Sequence, residues 1–203
     1  MIQILKYGQV SNEEIFARKE PAVDVAGIVA EILADVKENG DKAVLAYCEK
    51  FDKAKLFSLQ VTEAEIDEAF SQVEPEFIRI LEKAAANIRA YHSQQVRQGF
   101  CLEQADGVKI GQRILPVDRA GLYVPGGTAA YPSTVLMDSI PAKIAGCEEI
   151  VMVTPPAKDG KVNPAILAAA KVAGVTRIFK LGGAQAVAAL AYGTESVPAV
   201  HKI

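Results

Sequence analysis

The sequence predicts an α/β protein in which a helical N-terminal region precedes a parallel sheet. Through residues 1–120, apolar side chains recur mainly at three- and four-residue steps, the spacing of amphipathic helices. In residues 121–203, short β-branched runs alternate with alanine-rich segments, which is typical of βαβ units. We therefore divide the chain into domains at residue 120, and we expect the two regions to pack separately, with their boundary between Gly111 and Gly121.

Composition excludes several classes of protein. The chain has 203 residues, of which 50% are apolar and 23% charged, so it is long and apolar enough to bury a core and is not intrinsically disordered. No apolar run reaches the roughly 18 residues of a membrane span, and the first residues show neither a long apolar segment nor a small-residue cleavage site. We therefore expect an unexported, cytoplasmic protein without membrane contact. With a net charge of -3 and no basic block, nucleic-acid binding is not expected.

Start and stop signals locate the N-terminal helices. Capping boxes are predicted at Ser11 to Glu14 and at Thr62 to Glu65. An apolar stripe runs from Asp24 to Asn39-Gly40, where Asp41 is predicted to cap a second helix and so complete a helical hairpin. The stripe and the second helix carry the apolar residues Ile28, Ile32, Leu33, Val36, Val44, Leu45 and Cys48.

The longest helix is predicted from Pro75, a favoured first helical residue, to Gly99. Asp106-Gly107, flanked by alternating apolar residues, predicts a β-hairpin. The strands of the parallel sheet are expected at residues 121–124, 149–153 and 177–181, and the helices that connect them at 133–146, 164–173 and 184–192. A fourth strand begins at Ala199, and we expect the complete protein to continue beyond Ile203.

Glycine pairs follow two of the predicted strands. Tyr123-Val124-Pro125-Gly126-Gly127 ends the first strand, while Gly182-Gly183, with Gln185 close behind, ends the third. Because parallel strands present their carboxyl ends at one edge, both loops should border one crevice, where free helix N–H groups favour an anionic ligand such as a nucleotide. The alternatives are that the loops are merely tight turns, Tyr123 a core aromatic and Gln185 an ordinary surface residue.

No catalytic group stands out from the residues alone. His92 has no partner at metal-ligand spacing, and Ser133 lacks the context of a nucleophile elbow. Cys48, Cys101 and Cys147 match neither a disulfide framework nor a zinc motif. These observations favour a ligand-binding module without its catalytic machinery, and they leave open a stand-alone nucleotide-binding or interaction module and an enzyme with a nucleophilic cysteine.

Long ordered motifs nevertheless resemble one family. ENGDKAVLAYCEKFDK at residues 38–53, GLYVPGGTAAYPSTVLMDSIPAKIAGCEEIVMVTPP at 121–156, NPAILAAAKVAGV at 163–175 and KLGGAQAVAALAYGTESVPAVHKI at 180–203 resemble histidinol dehydrogenase. The resemblance covers almost the whole chain. Members of this family are about twice as long, in agreement with the expected continuation beyond residue 203.

This resemblance implies a zinc-dependent, homodimeric oxidoreductase that converts L-histidinol through L-histidinaldehyde to L-histidine with NAD. It implies an incomplete Rossmann-like sheet of the aldehyde-dehydrogenase-like type, with residues 121–203 as the NAD-binding domain. By position, Tyr123 and Gln185 correspond to residues that contact NAD, and Pro125 and Gly126 lie in the same loop. The zinc ligands and the catalytic Glu-His pair are expected beyond residue 203, so no catalytic or metal-binding residue is assigned, and this chain alone is expected to be inactive.

Overall fold

A computed structural model describes residues 4–17, 25–126 and 129–203. These residues form seven α-helices, one π-helical turn and five strands. The helices are α1 (Asn12–Phe16), α2 (Ala26–Tyr47), α3 (Glu63–Gln72), α4 (Pro75–Ser93), α5 (Pro132–Ala145), α6 (Pro164–Ala173) and α7 (Gly183–Tyr192), and the π-helical turn is Cys48–Asp52. The strands are β1 (Phe100–Glu103), β2 (Lys109–Gln112), β3 (Arg119–Tyr123), β4 (Glu149–Thr154) and β5 (Arg177–Lys180). Among the described helices, none has both the length and the apolar composition needed to cross a bilayer.

The parallel sheet has the strand order β3-β4-β5, which confirms the predicted α/β class. On the outer edge of β3, Lys202 pairs in parallel with Ala120, and its carbonyl oxygen accepts a hydrogen bond of 2.7 Å from the Gly121 N–H. The fourth strand predicted from Ala199 is present as this bridge. The chain therefore moves away from β3 through β4 and β5, and then returns to the other side of β3.

Helices cover both faces of this sheet. Alternate residues of β4 point to opposite faces, as the strand geometry requires. Ile150 and Met152 join one hydrophobic cluster with residues of α3, α4, α5 and α6. Val151 and Val153 join a second cluster with residues of α2 and α7. Burial on both faces explains why the strands are continuously apolar.

The N-terminal helices do not pack separately from the sheet. Leu81 and Ala85 of α4 belong to the same cluster as the β4 residues Ile150 and Met152. Val36 of α2 belongs to the cluster on the other face. The expected boundary between separate packing units at 111–121 is therefore wrong, because the amphipathic N-terminal helices bury their apolar faces against the sheet region. The division into domains at residue 120 stays a prediction.

Gly40 divides α2 into two helical segments, as the sequence predicts. Its φ of 52° and ψ of -133° are not helical and suit only glycine. Asp41, however, does not act as the expected cap. Its carboxylate accepts 2.5 Å hydrogen bonds from the hydroxyls of Thr194 and Ser196, and its own N–H donates to Glu195 Oε2 at 2.8 Å. Asp24, the expected start of this helix, lies outside the described residues.

The other local predictions are largely confirmed. The Thr62 to Glu65 capping box is complete, and the Glu14 N–H donates to the Ser11 hydroxyl at 3.1 Å. Helix α4 begins at Pro75 but ends at Ser93, before Gly99. Its 19 residues form a longer uninterrupted helix than either segment of α2. Strands β1 and β2 form the predicted antiparallel hairpin.

Candidate functional site

Three loops meet at the carboxyl edge of the parallel sheet. They follow β3 at Val124–Gly126, β4 at Pro155–Pro156 and β5 at Leu181–Gly182. A Cβ atom placed on Gly126 would lie 2.6 Å from Pro155 Cγ, and one placed on Gly182 would lie 2.7 Å from Pro155 Cβ. The two glycine loops identified in the sequence are therefore brought together around a proline that the sequence analysis did not single out.

The strand order identifies β3 as the topological switch point, where successive connections turn to opposite sides of a strand. One neighbour of β3 is β4, while the other is the segment containing Lys202. Open α/β sheets bind ligands at the carboxyl ends of the strands beside such a switch point. Tyr123, the last residue of β3, lies at this position.

Tyr123 connects the end of β3 to the beginning of α7. Its side chain is half-buried and packs against the cluster formed with α2 and α7. Its hydroxyl oxygen accepts a hydrogen bond from the Gly183 N–H at 3.1 Å. The residue therefore combines a partly buried ring with a polar tip at the edge of the crevice, so it takes part in core packing as well as facing the loops.

Gln185 lies in the first turn of α7 and is only 1% exposed, so it is not an ordinary surface residue. A Cβ on Gly183 would lie 2.7 Å from Gln185 Oε1 and 3.1 Å from Nε2, which places the amide beside the glycine loop. Its position beside this loop suits a polar contact with a ligand held there.

Pro125 and Gly126 are both exposed at the end of β3, whereas Gly127 and Thr128 lie outside the described residues. The helices that follow the two glycine loops, α5 and α7, both begin without a side-chain cap. First-turn N–H groups of a helix lack intrahelical partners and attract anions. The loop chemistry thus suits a phosphate-bearing ligand.

A cleft of about 450 Å³ opens on the other face of the sheet. It shares Gly126 and Pro155 with the loops, but neither Tyr123 nor Gln185 lines it. The remaining lining residues come mainly from α3, from the loop after β4 and from the start of α6: Val61, Glu65, Glu68, Ala69, Gln72, Ala129, Ala130, Thr154, Pro156, Ala157, Asp159, Lys161, Val162, Asn163, Pro164, Ile166 and Leu167. This cleft could not be predicted from the sequence, because its walls are far apart along the chain.

Three of the four charged residues that line this cleft, Glu65, Glu68 and Lys161, are engaged in ion pairs. Lys161 Nζ lies 2.8 Å from Glu68 Oε1, and Lys180 pairs with Glu65 across the sheet edge. Burial acts to raise the pKa of the Glu65 carboxyl, but the hydrogen bond and charge of Lys180, with bonds from Thr62, outweigh it. The pKa of Glu65 therefore lies below its ordinary value, and the carboxylate stays ionised at neutral pH.

No cluster of three His, Cys, Asp or Glu side chains suited to a metal ion occurs in residues 4–17, 25–126 and 129–203. His92 Nδ1 lies 2.6 Å from Gln95 Oε1, and His201 Nδ1 accepts a hydrogen bond from the Arg119 N–H at 3.2 Å. Burial, together with the charge of Asp52, raises the pKa of the Cys48 thiol to about 12. Cys48 is thus protonated at neutral pH and unsuited to act as a nucleophile.

Comparisons with known proteins agree on one family. A sequence profile of histidinol dehydrogenase matches residues 17–203. The histidinol dehydrogenase of Clostridium acetobutylicum is 48% identical over 209 residues, covering 100% of this chain and 48% of that protein. That of Streptococcus mutans is 50% identical over 198 residues, covering 98% of this chain and 46% of that protein.

A solved structure extends the similarity to three dimensions. The crystal structure of histidinol dehydrogenase from Elizabethkingia anophelis superposes with a TM-score of 0.85 at 39% identity, covering 90% of this chain and 42% of that one. This chain therefore spans about half the length of the curated relatives it matches.

Proposed function

The chain belongs to the histidinol dehydrogenase family, and from that premise we propose that it supplies the NAD-binding part of an enzyme that oxidises L-histidinol, through L-histidinaldehyde, to L-histidine. The observation that carries this proposal is the buried Gln185 side chain, whose amide lies beside one of two glycine loops that meet at the edge of the sheet. Together they offer a polar contact and close backbone approach at one edge of the sheet.

The residues present fit a dinucleotide. In the proposal, Gln185 donates to or accepts from a polar group of NAD, and the ring of Tyr123 flanks the ligand. Pro125 and Gly126 let the ligand approach the backbone, and the uncapped start of α7 faces its negative charge. When bound, NAD would accept a hydride from the carbon being oxidised. The role of this chain's residues is to bind and orient it.

We propose that the complete enzyme binds zinc, but not through residues of this chain. The described part of the chain offers no cluster suited to it, so we assign no zinc ligand and no proton-transfer residue here. We propose that zinc, the Glu-His pair and most contacts to histidinol are supplied by sequence equivalent to the remaining half of the relatives. We also propose that the enzyme is a homodimer, that it is cytoplasmic, and that its sheet is of the aldehyde-dehydrogenase-like type.

A second candidate function is a nucleotide-binding module without catalysis. It needs only the two glycine loops and the uncapped start of α7, which the described residues already supply. The two proposals share the NAD site and differ in whether oxidation follows binding. Joining this chain at Ile203 to the matching remainder of the Clostridium acetobutylicum enzyme separates them: the first predicts NADH formation from histidinol in the chimera and none from this chain alone.

NAD binding itself is tested by Gln185→Leu in the chain as it stands. Leucine has a similar volume but no amide, so the variant should bind NAD more weakly, by about 5- to 150-fold, if a ligand hydrogen bond worth about 1 to 3 kcal/mol is lost. Its melting temperature should change little, because leucine fills a similar volume in this buried position. Gln104→Ala, in the exposed hairpin turn, is the matched control. Unaltered NAD affinity in Gln185→Leu would contradict the proposal.

A further inference from the structure

We propose that Pro155 is a positioning residue of the cofactor site, whose ring fixes the separation between the loops containing Gly126 and Gly182. This inference rests on the proposed function, since it assigns a role to a residue within the same NAD site. It concerns a residue that lies within the motif at 121–156 but is not among the candidate contacts to NAD.

Pro155 occupies the centre of the loop cluster because it directly follows β4, the middle strand of the sheet. Different atoms of the residue face the two glycines. A Cβ on Gly126 would lie 2.6 Å from Cγ and 3.1 Å from Cδ of Pro155. A Cβ on Gly182 would lie 2.7 Å from Cβ and 3.3 Å from Cγ. Separations under 3.0 Å essentially never occur for real Cβ atoms, so both loops contact Pro155 as closely as glycine permits.

The need for glycine at these two positions comes from Pro155 and not from backbone strain. Gly182 has an extended conformation, with φ of -129° and ψ of 179°, that any residue can adopt. Gly126 is likewise not among the positive-φ glycines. The steric demand of the proline is therefore the feature that excludes side chains from both loops.

The loops that contact Pro155 are also connected to the groups proposed to bind NAD. Gly182 precedes Gly183, whose N–H donates to the Tyr123 hydroxyl and whose backbone lies against the Gln185 amide. Gly126 lies three residues after Tyr123 in the other loop. A displacement of either loop relative to Pro155 would therefore change the spacing between these groups. Proline suits this role because its ring restricts its own backbone and packs as a rigid body.

The two contacts predict different behaviour in double variants. Gly126→Ala and Gly182→Ala should each weaken NAD binding at least about fivefold, because overpacking forces the loops apart. Pro155→Ala removes Cγ and Cδ but keeps Cβ. It should therefore relieve the clash in Gly126→Ala, so that adding Gly126→Ala to Pro155→Ala costs less than about twofold. It should not relieve the clash in Gly182→Ala, which contacts the Cβ that alanine retains.

The experiment is a calorimetric titration of NAD into wild type, the three single variants and the two double variants, with a thermal melt of each. The expected result is that Pro155→Ala restores NAD affinity when combined with Gly126→Ala but not when combined with Gly182→Ala. Rescue of melting temperatures without rescue of affinity would assign Pro155 a structural role only and overturn the inference. Equal rescue of both pairs, or of neither, would also overturn it while leaving the proposed function intact. Absence of NAD binding by the wild-type chain would reject the proposed function and this inference together.

Discussion

The hydrogen bond between Tyr123 and Gly183 separates two roles of this tyrosine. Tyr123→Phe keeps the half-buried ring but removes the hydroxyl that accepts the Gly183 N–H at 3.1 Å. A bond of this kind contributes about 0.5 to 1.5 kcal/mol to stability. For a chain of this size, each kcal/mol shifts the melting temperature by about 2 to 4 °C, so Tyr123→Phe should melt about 1 to 6 °C lower.

Tyr123→Ala should affect binding more strongly. It removes the aromatic face proposed to flank NAD, a loss of about 1 to 3 kcal/mol that corresponds to a Kd about 5- to 150-fold weaker. Tyr123→Phe, which keeps that face, should weaken binding by no more than about tenfold. Calorimetric titration with NAD and thermal melts of the same samples measure both quantities.

The matched control is Tyr192→Phe, at the opposite end of α7, where the exposed ring lies near Lys37. It should change neither melting temperature nor NAD affinity. The stabilising role of the Tyr123 hydroxyl would be refuted if Tyr123→Phe melted like the wild type. The cofactor role would be refuted if Tyr123→Ala lowered the melting temperature but bound NAD with unchanged affinity.

Three further outcomes test the fold around the site. Glu65→Gln should lower stability by about 2 kcal/mol at neutral pH by leaving the largely buried Lys180 ammonium without its charged partner. Folding lowers the pKa of the Glu65 carboxyl. The extra stability of the wild type over Glu65→Gln should therefore be fully present above the pKa of the unfolded chain, about 4.3, and should be lost as pH falls through the pKa of the folded protein. Urea titrations of both proteins at several pH values measure this difference. Alkylation followed by mass spectrometry should label exposed Cys101 in the native chain and buried Cys48 only after unfolding, and native labelling of Cys48 would contradict its burial. Gly40→Ala should cost about 1 to 3 kcal/mol in a chemical melt because φ is 52° there, and a wild-type midpoint would argue against this backbone conformation.

Local signals located most of the elements accurately. Helix α6 begins at Pro164 and ends at Ala173 as predicted, because Asn163 caps its start and Gly174 adopts the left-handed conformation at its end. Both signals act through the backbone within one turn, so they can be identified in the sequence. Strand β3 instead begins at Arg119, two residues before the predicted Gly121, where pairing with β4 outweighs the local composition.

Long-range contacts were the part that the sequence could not specify. The sequence identified Gln185 as a candidate, but its burial depends on packing between α7 and the sheet. Asp41 matched the pattern of a helix cap, whereas its carboxylate binds hydroxyls more than 150 residues away. Pro155 gave no signal of its own, since its importance depends on the two glycines that meet it from other loops.

The most direct test of the proposed NAD site is an NMR titration of the isotopically labelled chain with NAD. We expect saturable shifts of the Gly126 and Gly183 backbone amides and of the Gln185 side-chain amide, all following one binding curve. The amide of Gly107 in the exposed hairpin should not move. Signals that stay in place at these three positions, or that shift without saturating while others respond, would contradict the assignment of this sheet edge as the NAD site.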